Sequence, residues 1–407
     1  MDVTLADIRR AQRILAAHVL RTPMLPAPRL SELTGADVHV KYENMQVTNS
    51  FKERGARVKL AALSDEARRR GVIAMSAGNH AQAVAYHAQR LGVPATVVMP
   101  VTTPFVKVAA TKAHGAEVVL HGETISEAQA RAEAIASDRN LIWVHPYDDV
   151  HVIAGQGTVA VEMLEEVPDL EMLVVPIGGG GLISGMAVAA KGLRPEIDII
   201  GVESELYPSM WNAIRGERRP IGGATLAEGI AVKNVGSLTL PIVRALVRDI
   251  VLVDEEHIER AVNAYLTLQK TMAEGAGAAG LAAMLAEPER FAGKKVGLVL
   301  CGGNIDPRLL ATIMVRELER ADRIVSFRLT IPDRPGILGH IATALGQLGA
   351  NILEVDHRRL FLDVPAKGAR LDITVETRDR AHAEEILKAF EADGYQPVRI
   401  EGGAVMD

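Results

Sequence analysis

One lysine, a run of four glycines, a short polar loop and a single cysteine are the residues in this chain whose types and spacing could do chemistry. Lys52 stands in Asn49-Ser50-Phe51-Lys52-Glu53-Arg54-Gly55-Ala56, behind cap-type residues and at the start of an expected helix. The positive end of a helix disfavours an ammonium ion. Burial beside an apolar wall would lower the amine further and make it a nucleophile for a carbonyl. A solvated surface lysine fits the same letters. Pro176-Ile177-Gly178-Gly179-Gly180-Gly181-Leu182 lies between an apolar run and a helical stretch. Four glycines put no Cβ in the way of the backbone N–H groups, and a helix N-terminus adds positive potential, so the segment predicts a phosphate cradle in preference to a plain turn. No Gly-Lys-Ser/Thr follows, and Ile183 or Ser184 stands where Gly-x-Gly-x-x-Gly needs its third glycine; both facts disfavour a nucleoside triphosphate or a dinucleotide.

Ser76-Ala77-Gly78-Asn79-His80 ends another apolar run. Open α/β sheets bind ligands beyond the carboxyl ends of their strands, so the N–H groups of this loop could hold a carboxylate. His80 reads either as a general base or as a capping or supporting histidine. Cys301-Gly302-Gly303-Asn304 closes a further run. Cys301 reads as a small core hydrophobe or, given the two glycines, as a point of close approach to a ligand. Neither His-Glu-x-x-His, Gly-x-Ser-x-Gly nor a spaced Cys/His set occurs, which leaves zinc hydrolysis and triad chemistry unsupported.

These residues must be positioned by alternating strands and helices. Apolar runs at 72–75, 95–99, 117–120, 141–144, 172–175, 197–202 and 296–300 predict strands buried on both faces. Ala-rich stretches at 81–91, 123–137 and 181–190 predict the covering helices, and Met1–Leu20 reads as an amphipathic helix of the mature fold. The result is an α/β body with a parallel sheet and two lobes over residues 1–320, the small lobe at about 50–150. Beyond Arg323 the pattern changes. Val325, Phe327, Leu329 and Ile331 alternate with polar residues, and Asp333-Arg334-Pro335-Gly336 opens a helix with Asp as cap and Pro in its first turn. Ile337, Ile341, Leu345 and Leu348 line one face of that helix, which Gly349 ends. Strands near 352–362 and 369–377, a helix at 381–392 and a strand at 396–400 complete β-α-β-β-α-β, the ferredoxin-like order, over 323–407.

Composition agrees with a globular chain: 407 residues, 48% hydrophobic, 24% charged, net charge −6. The low aromatic content, 3%, and the lack of a basic stripe argue against nucleic acid. No apolar run spans a bilayer. One cysteine excludes an internal disulfide, and the default compartment is the cytoplasm.

A reactive lysine, a phosphate cradle and a carboxylate loop suit an aldehyde-phosphate cofactor and an amino-acid substrate. Lys41-Tyr42-Glu43-Asn44 with the Lys52 motif, then Ser76-Ala77-Gly78-Asn79-His80-Ala81-Gln82, the tetraglycine loop and Cys301-Gly302-Gly303-Asn304 resemble, in order, the motifs of fold-type II (tryptophan synthase β-like) pyridoxal-phosphate enzymes. Residues 1–320 are similar above all to the threonine dehydratase (threonine ammonia-lyase) family. Residues 323–402 resemble an ACT domain, a regulatory module, through Asp333-Arg334-Pro335-Gly336 and Gly349-Ala350-Asn351-Ile352.

The resemblance implies that Lys52 carries pyridoxal 5′-phosphate as a Schiff base and later removes the Cα proton. It implies that Phe51 contacts the cofactor ring, that Gly178, Gly179, Gly180, Gly181 and Leu182 bind the phosphate, and that Asn79 meets the ring 3′-oxygen. Ser76, Asn79 and His80 would contact the substrate carboxylate. Cys301 would face the pyridine nitrogen as a weak neutral donor, which favours loss of a β-hydroxyl over transamination. The implied reaction is dehydration and deamination of L-threonine to 2-oxobutanoate and ammonia, with L-serine as a second substrate giving pyruvate. Another β-hydroxy amino acid such as 3-hydroxyaspartate is the alternative substrate, and an amino-acid sensor with an inactive body the non-enzyme alternative. Serine racemases carry a second serine where this chain has Ala77, which argues for elimination. Glu203 matches one ligand of a cation site in relatives, but Ser209 stands where an Asp is expected, which speaks against a divalent ion; Glu228 and Glu274 read as supporting residues. The ACT resemblance implies isoleucine or valine as effector and a homo-oligomer.

Overall fold

In the computed structural model, residues 3–359 and 367–400 are described. The chain divides into two compact units, Met1–Ile305 and Asp306–Asp407.

The first unit contains two sheets. The larger has the strand order β1 (Met24–Pro26), β2 (Asp37–Tyr42), β10 (Lys295–Leu300), β7 (Met172–Pro176), β8 (Asp198–Ser204) and β9 (Asp249–Val253), parallel except for the β1–β2 pair. The smaller is wholly parallel, in the order β5 (Glu117–Leu120), β4 (Ala95–Met99), β3 (Val72–Met75) and β6 (Ile142–Trp143). Val174, Ile200, Val97 and Ile73 are fully buried, as strands covered by helices on both faces require. β5 departs from the expectation of full burial: Glu117 and Leu120 are exposed, because the strand pairs only with β4 and forms an edge. β1, β2 and β9 had no counterpart among the expected strands. β1 is only three residues long, and β2 interrupts its apolar residues with His39 and Lys41.

The helices Val150–Glu166 and Gly181–Leu193 pack at backbone contact. A Cβ on Gly157 would lie 2.6 Å from the Gly185 carbonyl oxygen, so both crossing positions exclude a side chain. The N-terminal helix runs over Leu5–Leu15, shorter than the expected 1–20, and starts at a Thr4–Asp7 capping box. It buries Ile8, Ala11 and Leu15 in the core built on these helices.

The second unit begins with the helix Pro307–Arg320 and continues as β11 (Ile324–Pro332), the helix Ile337–Leu348, β12 (Asn351–Arg358), β13 (Gly368–Glu376), the helix Arg380–Ala392 and β14 (Val398–Ile400). Its antiparallel sheet has the order β12-β13-β11-β14. Phe327, Leu329, Ile331, Leu371 and Ile373 form its core, on the sheet face set by period-two alternation, with Phe390 of the helix Arg380–Ala392 packed among them. Two details differ from the sequence reading. Asp333 does not cap the helix: the Arg334 N–H bonds back to Pro332 O, which keeps Asp333 and Pro335 in the turn, and Gly336 at φ 91° is the boundary residue. The expected strand near 352–362 ends at Arg358, and its residues 360–362 lie outside the described residues.

Candidate active site

The helix Lys52–Ala61 starts at the lysine itself, and the letters that follow it are anchors. The Arg54 guanidinium is fully buried and bidentate to Glu43 (Nε–Oε2 2.8 Å, Nη2–Oε1 2.7 Å) and to Glu162 (2.6 and 2.8 Å). Lys41 Nζ, also fully buried, reaches Glu162 at 2.8 Å and donates to the Thr22 carbonyl at 2.5 Å. Two cations and two anions thus neutralise one another with nearly every polar atom bonded, the condition under which a buried ion cluster is tolerated. Gly55 lets the helix touch Val150–Glu166: its N–H donates to Gln156 Oε1 at 3.2 Å, and a Cβ on Gly155 would fall 2.7 Å from the Arg54 carbonyl oxygen. The cap-type residues do not cap. Asn49 takes a left-handed conformation at φ 55°, and Phe51 occupies the boundary position without a side-chain bond.

Lys52 therefore projects from a fixed support. Its Nζ donates to the Pro146 carbonyl at 2.8 Å and stands 5.2 Å from the Phe51 ring centre. Burial pulls its pKa down to about 8, against the opposing pull of Cys301 and Glu274. Of the two readings that the motif left open, the lowered pKa and the bond to Pro146 fit the amine of lowered basicity rather than the solvated lysine.

Pro146 belongs to His145-Pro146-Tyr147-Asp148-Asp149, which follows β6 and links the lysine to the glycine loop. The Tyr147 ring lies where a Cβ on Gly179 would stand, and its Cα is 2.9 Å from a Cβ on Gly181. Gly180 has φ 94°, a conformation that favours glycine. Thr239 Oγ1 donates to the Gly179 carbonyl at 2.6 Å and fixes the loop from below. The N–H groups of Gly178, Gly179, Gly180, Gly181 and Leu182 donate to no protein acceptor among the described residues. Five unspent donors at the start of a buried 13-residue helix form an anion cradle. The segment 145–149 was absent from the sequence reading. Its position at the carboxyl end of a parallel strand, shared with Ser76–His80 and the glycines, is the signal that could have found it.

At the end of β3, Ser76 Oγ accepts from the Gly78 N–H at 3.2 Å. The His80 side chain is not a base facing the site: its Nε2 bonds the Val144 carbonyl at 2.8 Å, and burial, with Lys52 nearby, pushes its pKa down to about 3. What His80 offers the loop is its backbone N–H. Asn79 is held at both ends of its amide: Oδ1 accepts from Asn304 at 2.7 Å, and Nδ2 donates to Glu274 at 2.6 Å.

Cys301 ends β10 and is buried; its Sγ donates to the Ala276 carbonyl at 3.6 Å. Burial and the neighbouring Glu274 push the thiol far above its ordinary range, so it stays protonated. The two glycines after it are closely packed by protein neighbours. Gly302 makes room for Glu274, whose Oε1 a Cβ would strike, and Gly303 packs against the Met272 carbonyl and Asn44. Glu203 stands away from this cluster. Its oxygens accept from the N–H groups of Met210 and Trp211, both at 2.8 Å, at the start of the helix Ser209–Arg215, and burial raises its pKa to about 8. Among the described residues no group of three or more His, Cys, Asp or Glu side chains could hold a metal ion.

The family model of the pyridoxal-phosphate dependent enzymes matches residues 15–302, which include every residue just described up to Gly302. The chain belongs to this family. An ACT domain model matches residues 325–394. An L-threonine ammonia-lyase of Thermotoga maritima is 46% identical over 98% of this chain and 100% of its own length, and one of Geobacter sulfurreducens 42% over 95% and 97%. The structure of maize serine racemase superimposes with a TM-score of 0.73 at 34% identity, covering 79% of this chain and 99% of that one. The site fits pyridoxal phosphate as cofactor: the unspent N–H groups suit its phosphate and the Lys52 amine suits its aldehyde. No helix among the described residues is long and apolar enough to cross a membrane.

Proposed function

We propose that this chain is an L-threonine ammonia-lyase, converting L-threonine to 2-oxobutanoate and ammonia and, as a second activity, L-serine to pyruvate. The observation that carries this reading is the Lys52 amine, lowered to about 8, joined through Pro146 and Tyr147 to a loop with five free N–H donors, in a chain 46% identical to a protein of that name. Pyridoxal phosphate, when bound, supplies the electron sink that acidifies the substrate's Cα–H. Gly178–Leu182 hold its phosphate and Phe51 packs on its ring. Ser76, Asn79 and the backbone N–H of His80 take the substrate carboxylate. Lys52 Nζ, neutral in part at pH 7, would hold the cofactor by its aldehyde and, once the substrate amine has taken its place there, would as a free amine carry the proton taken from Cα. Cys301 would stand at the ring nitrogen as a neutral thiol that delivers no full proton, which would favour loss of the β-hydroxyl over slower fates. The enamine released tautomerises and hydrolyses to the oxo acid and ammonia. Ala77, on the loop facing the substrate, has no ionisable group to return a proton from the opposite face, which favours elimination over racemisation.

The ACT domain makes the enzyme responsive to an amino acid, isoleucine or valine, in a cytoplasmic homo-oligomer; an effector that binds two states unequally by about 1–3 kcal/mol suffices. Purified protein given L-threonine is expected to release 2-oxobutanoate, and Lys52→Ala to lose both the visible cofactor absorbance and turnover. A fully active Lys52→Ala protein would overturn the reading. Full-length enzyme that ignores every branched-chain amino acid would remove the effector assignment and leave the reaction standing.

A further inference from the structure

Glu274 is the residue of this site to which the reaction above assigns nothing. It opens the helix Gly275–Ala286 as its boundary residue, yet its side chain makes no cap bond there. The carboxylate is turned instead to the Asn79 amide, 2.6 Å away. Two glycines accommodate that posture. A Cβ on Gly302 would strike Glu274 Oε1 and lie 3.0 Å from Asn79 Nδ2, while a Cβ on Gly277 would strike the Gly302 carbonyl.

The bonds run in one direction only. The Thr48 carbonyl can only accept, so Asn304 must present Nδ2 to it, at 2.9 Å. The second Asn304 N–H then meets Asn79 at 2.7 Å, which requires Asn79 to present its oxygen. Asn79 Nδ2 accordingly faces Glu274 and retains one hydrogen with no protein acceptor among the described residues. A carboxylate at the far end accepts without ambiguity, whereas a protonated carboxyl could donate and weaken the order of the chain. We propose that Glu274 is a positioning residue for the cofactor: with the Thr48 carbonyl acting through Asn304, it holds the Asn79 amide in one orientation and so aims the spare Asn79 N–H at the oxygen of the cofactor ring. This rests on the function proposed above.

Glu274 is also poised to titrate. Burial pushes its pKa up to about 7, against the Asn79 bond, Lys107 and the backbone N–H of Asn304, which favour the anion; Glu228 works in the same direction as burial. Lys52 and Cys301 face it from the lysine helix and from the end of β10. Lys107 and Glu228 are themselves paired at 2.6 Å, so their fields at Glu274 largely cancel. The cofactor's visible band is expected to shift with pH around neutrality in the wild type.

The test is cofactor titration of apoenzyme, followed by fluorescence, together with the pH dependence of the visible band. Glu274→Ala is expected to weaken pyridoxal phosphate binding about 10-fold, the loss of one charge-assisted hydrogen bond. Glu274→Gln, whose amide oxygen can still accept from Asn79, is expected to bind within about 3-fold of wild type and to lose the neutral-pH shift. Asn79→Ala with Glu274→Ala is expected to bind no worse than Asn79→Ala alone, because one residue acts through the other. Additive losses, or a Glu274→Gln band that titrates as in wild type, would overturn the proposal. Since Glu274→Gln keeps the shape of the side chain, misfolding of Glu274→Ala alone leaves the question decidable. If wild-type protein binds the cofactor and consumes L-threonine while these variants fail to behave as stated, only the role of Glu274 falls.

Discussion

The helix that begins at Lys52 and the loop Gly178–Leu182 meet at Pro146 and Tyr147, yet they are held by opposite means. Around the lysine helix three buried groups are committed: Arg54 to two carboxylates, Lys41 to Glu162 and a carbonyl, and the Gly55 N–H to Gln156. In the glycine loop the five N–H groups are unspent among the described residues, and four of the five residues carry no side chain. The first region has its chemistry enforced by packing around a single amine held to the Pro146 carbonyl. The second has its chemistry created by what is withheld. A rigid nucleophile and a receptive cradle are different design problems, and the chain solves the first with charge and the second with glycine.

Breaking the first arrangement should cost most. Arg54→Ala leaves Glu43 and Glu162 buried with only Lys41 to balance them, and should lose about 3–5 kcal/mol in urea unfolding, or fail to fold. Damage to the cradle should be more local. Gly179→Ala puts a methyl group into the Tyr147 ring, an overpacking penalty of about 1–3 kcal/mol that should appear as weaker cofactor binding with little loss of secondary structure by circular dichroism. If Gly179→Ala instead unfolds the chain as readily as Arg54→Ala, the contrast between the two regions is wrong.

The pH response sharpens the same contrast. The Lys52 pKa is depressed, so its reactive neutral form grows as pH rises, reaches half near pH 8 and is nearly complete about one pH unit higher. The rate of cofactor attachment to apoenzyme should climb through neutrality and level off above that pH. By linkage, the unfolded chain holds this proton up to its ordinary lysine pKa of about 10.4 while the folded chain has released it, so Lys52 adds stability as pH rises between the two values. The smallest effect is expected at His80. His80→Asn loses at most the Val144 bond, about 1 kcal/mol, and should leave the pH–rate profile unmoved because the imidazole is already neutral.

Much of the site was legible because its signals are local. Four adjacent glycines are conspicuous wherever they fall, and a Lys at a helix start or a Cys at a strand end is read from a few neighbouring letters. The second unit was legible for the same reason: Val325 to Ile331 alternate in plain view, and Gly349 ends its helix at φ 81° as expected. Other features are made by distant segments. Tyr147 lies on Gly179, Glu162 on Arg54 and Glu274 on Asn79, pairs that no sequence window contains. The two glycines after Cys301 show the same limit: they announce a close approach, but only packing tells that Glu274 stands against Gly302.

By itself the order of residues determined which backbone could bend, which strands would be covered and which amine stood at a helix start, since those properties depend on periodicity and on the chemistry of near neighbours. The tertiary structure decided the protonation states and partners that turn these residues into a site. Desolvation of Lys52, the neutral His80 ring and the direction of the Thr48–Asn304–Asn79–Glu274 chain all arise from groups far apart in sequence and a few ångströms apart in space, where the loss of water makes each contact count.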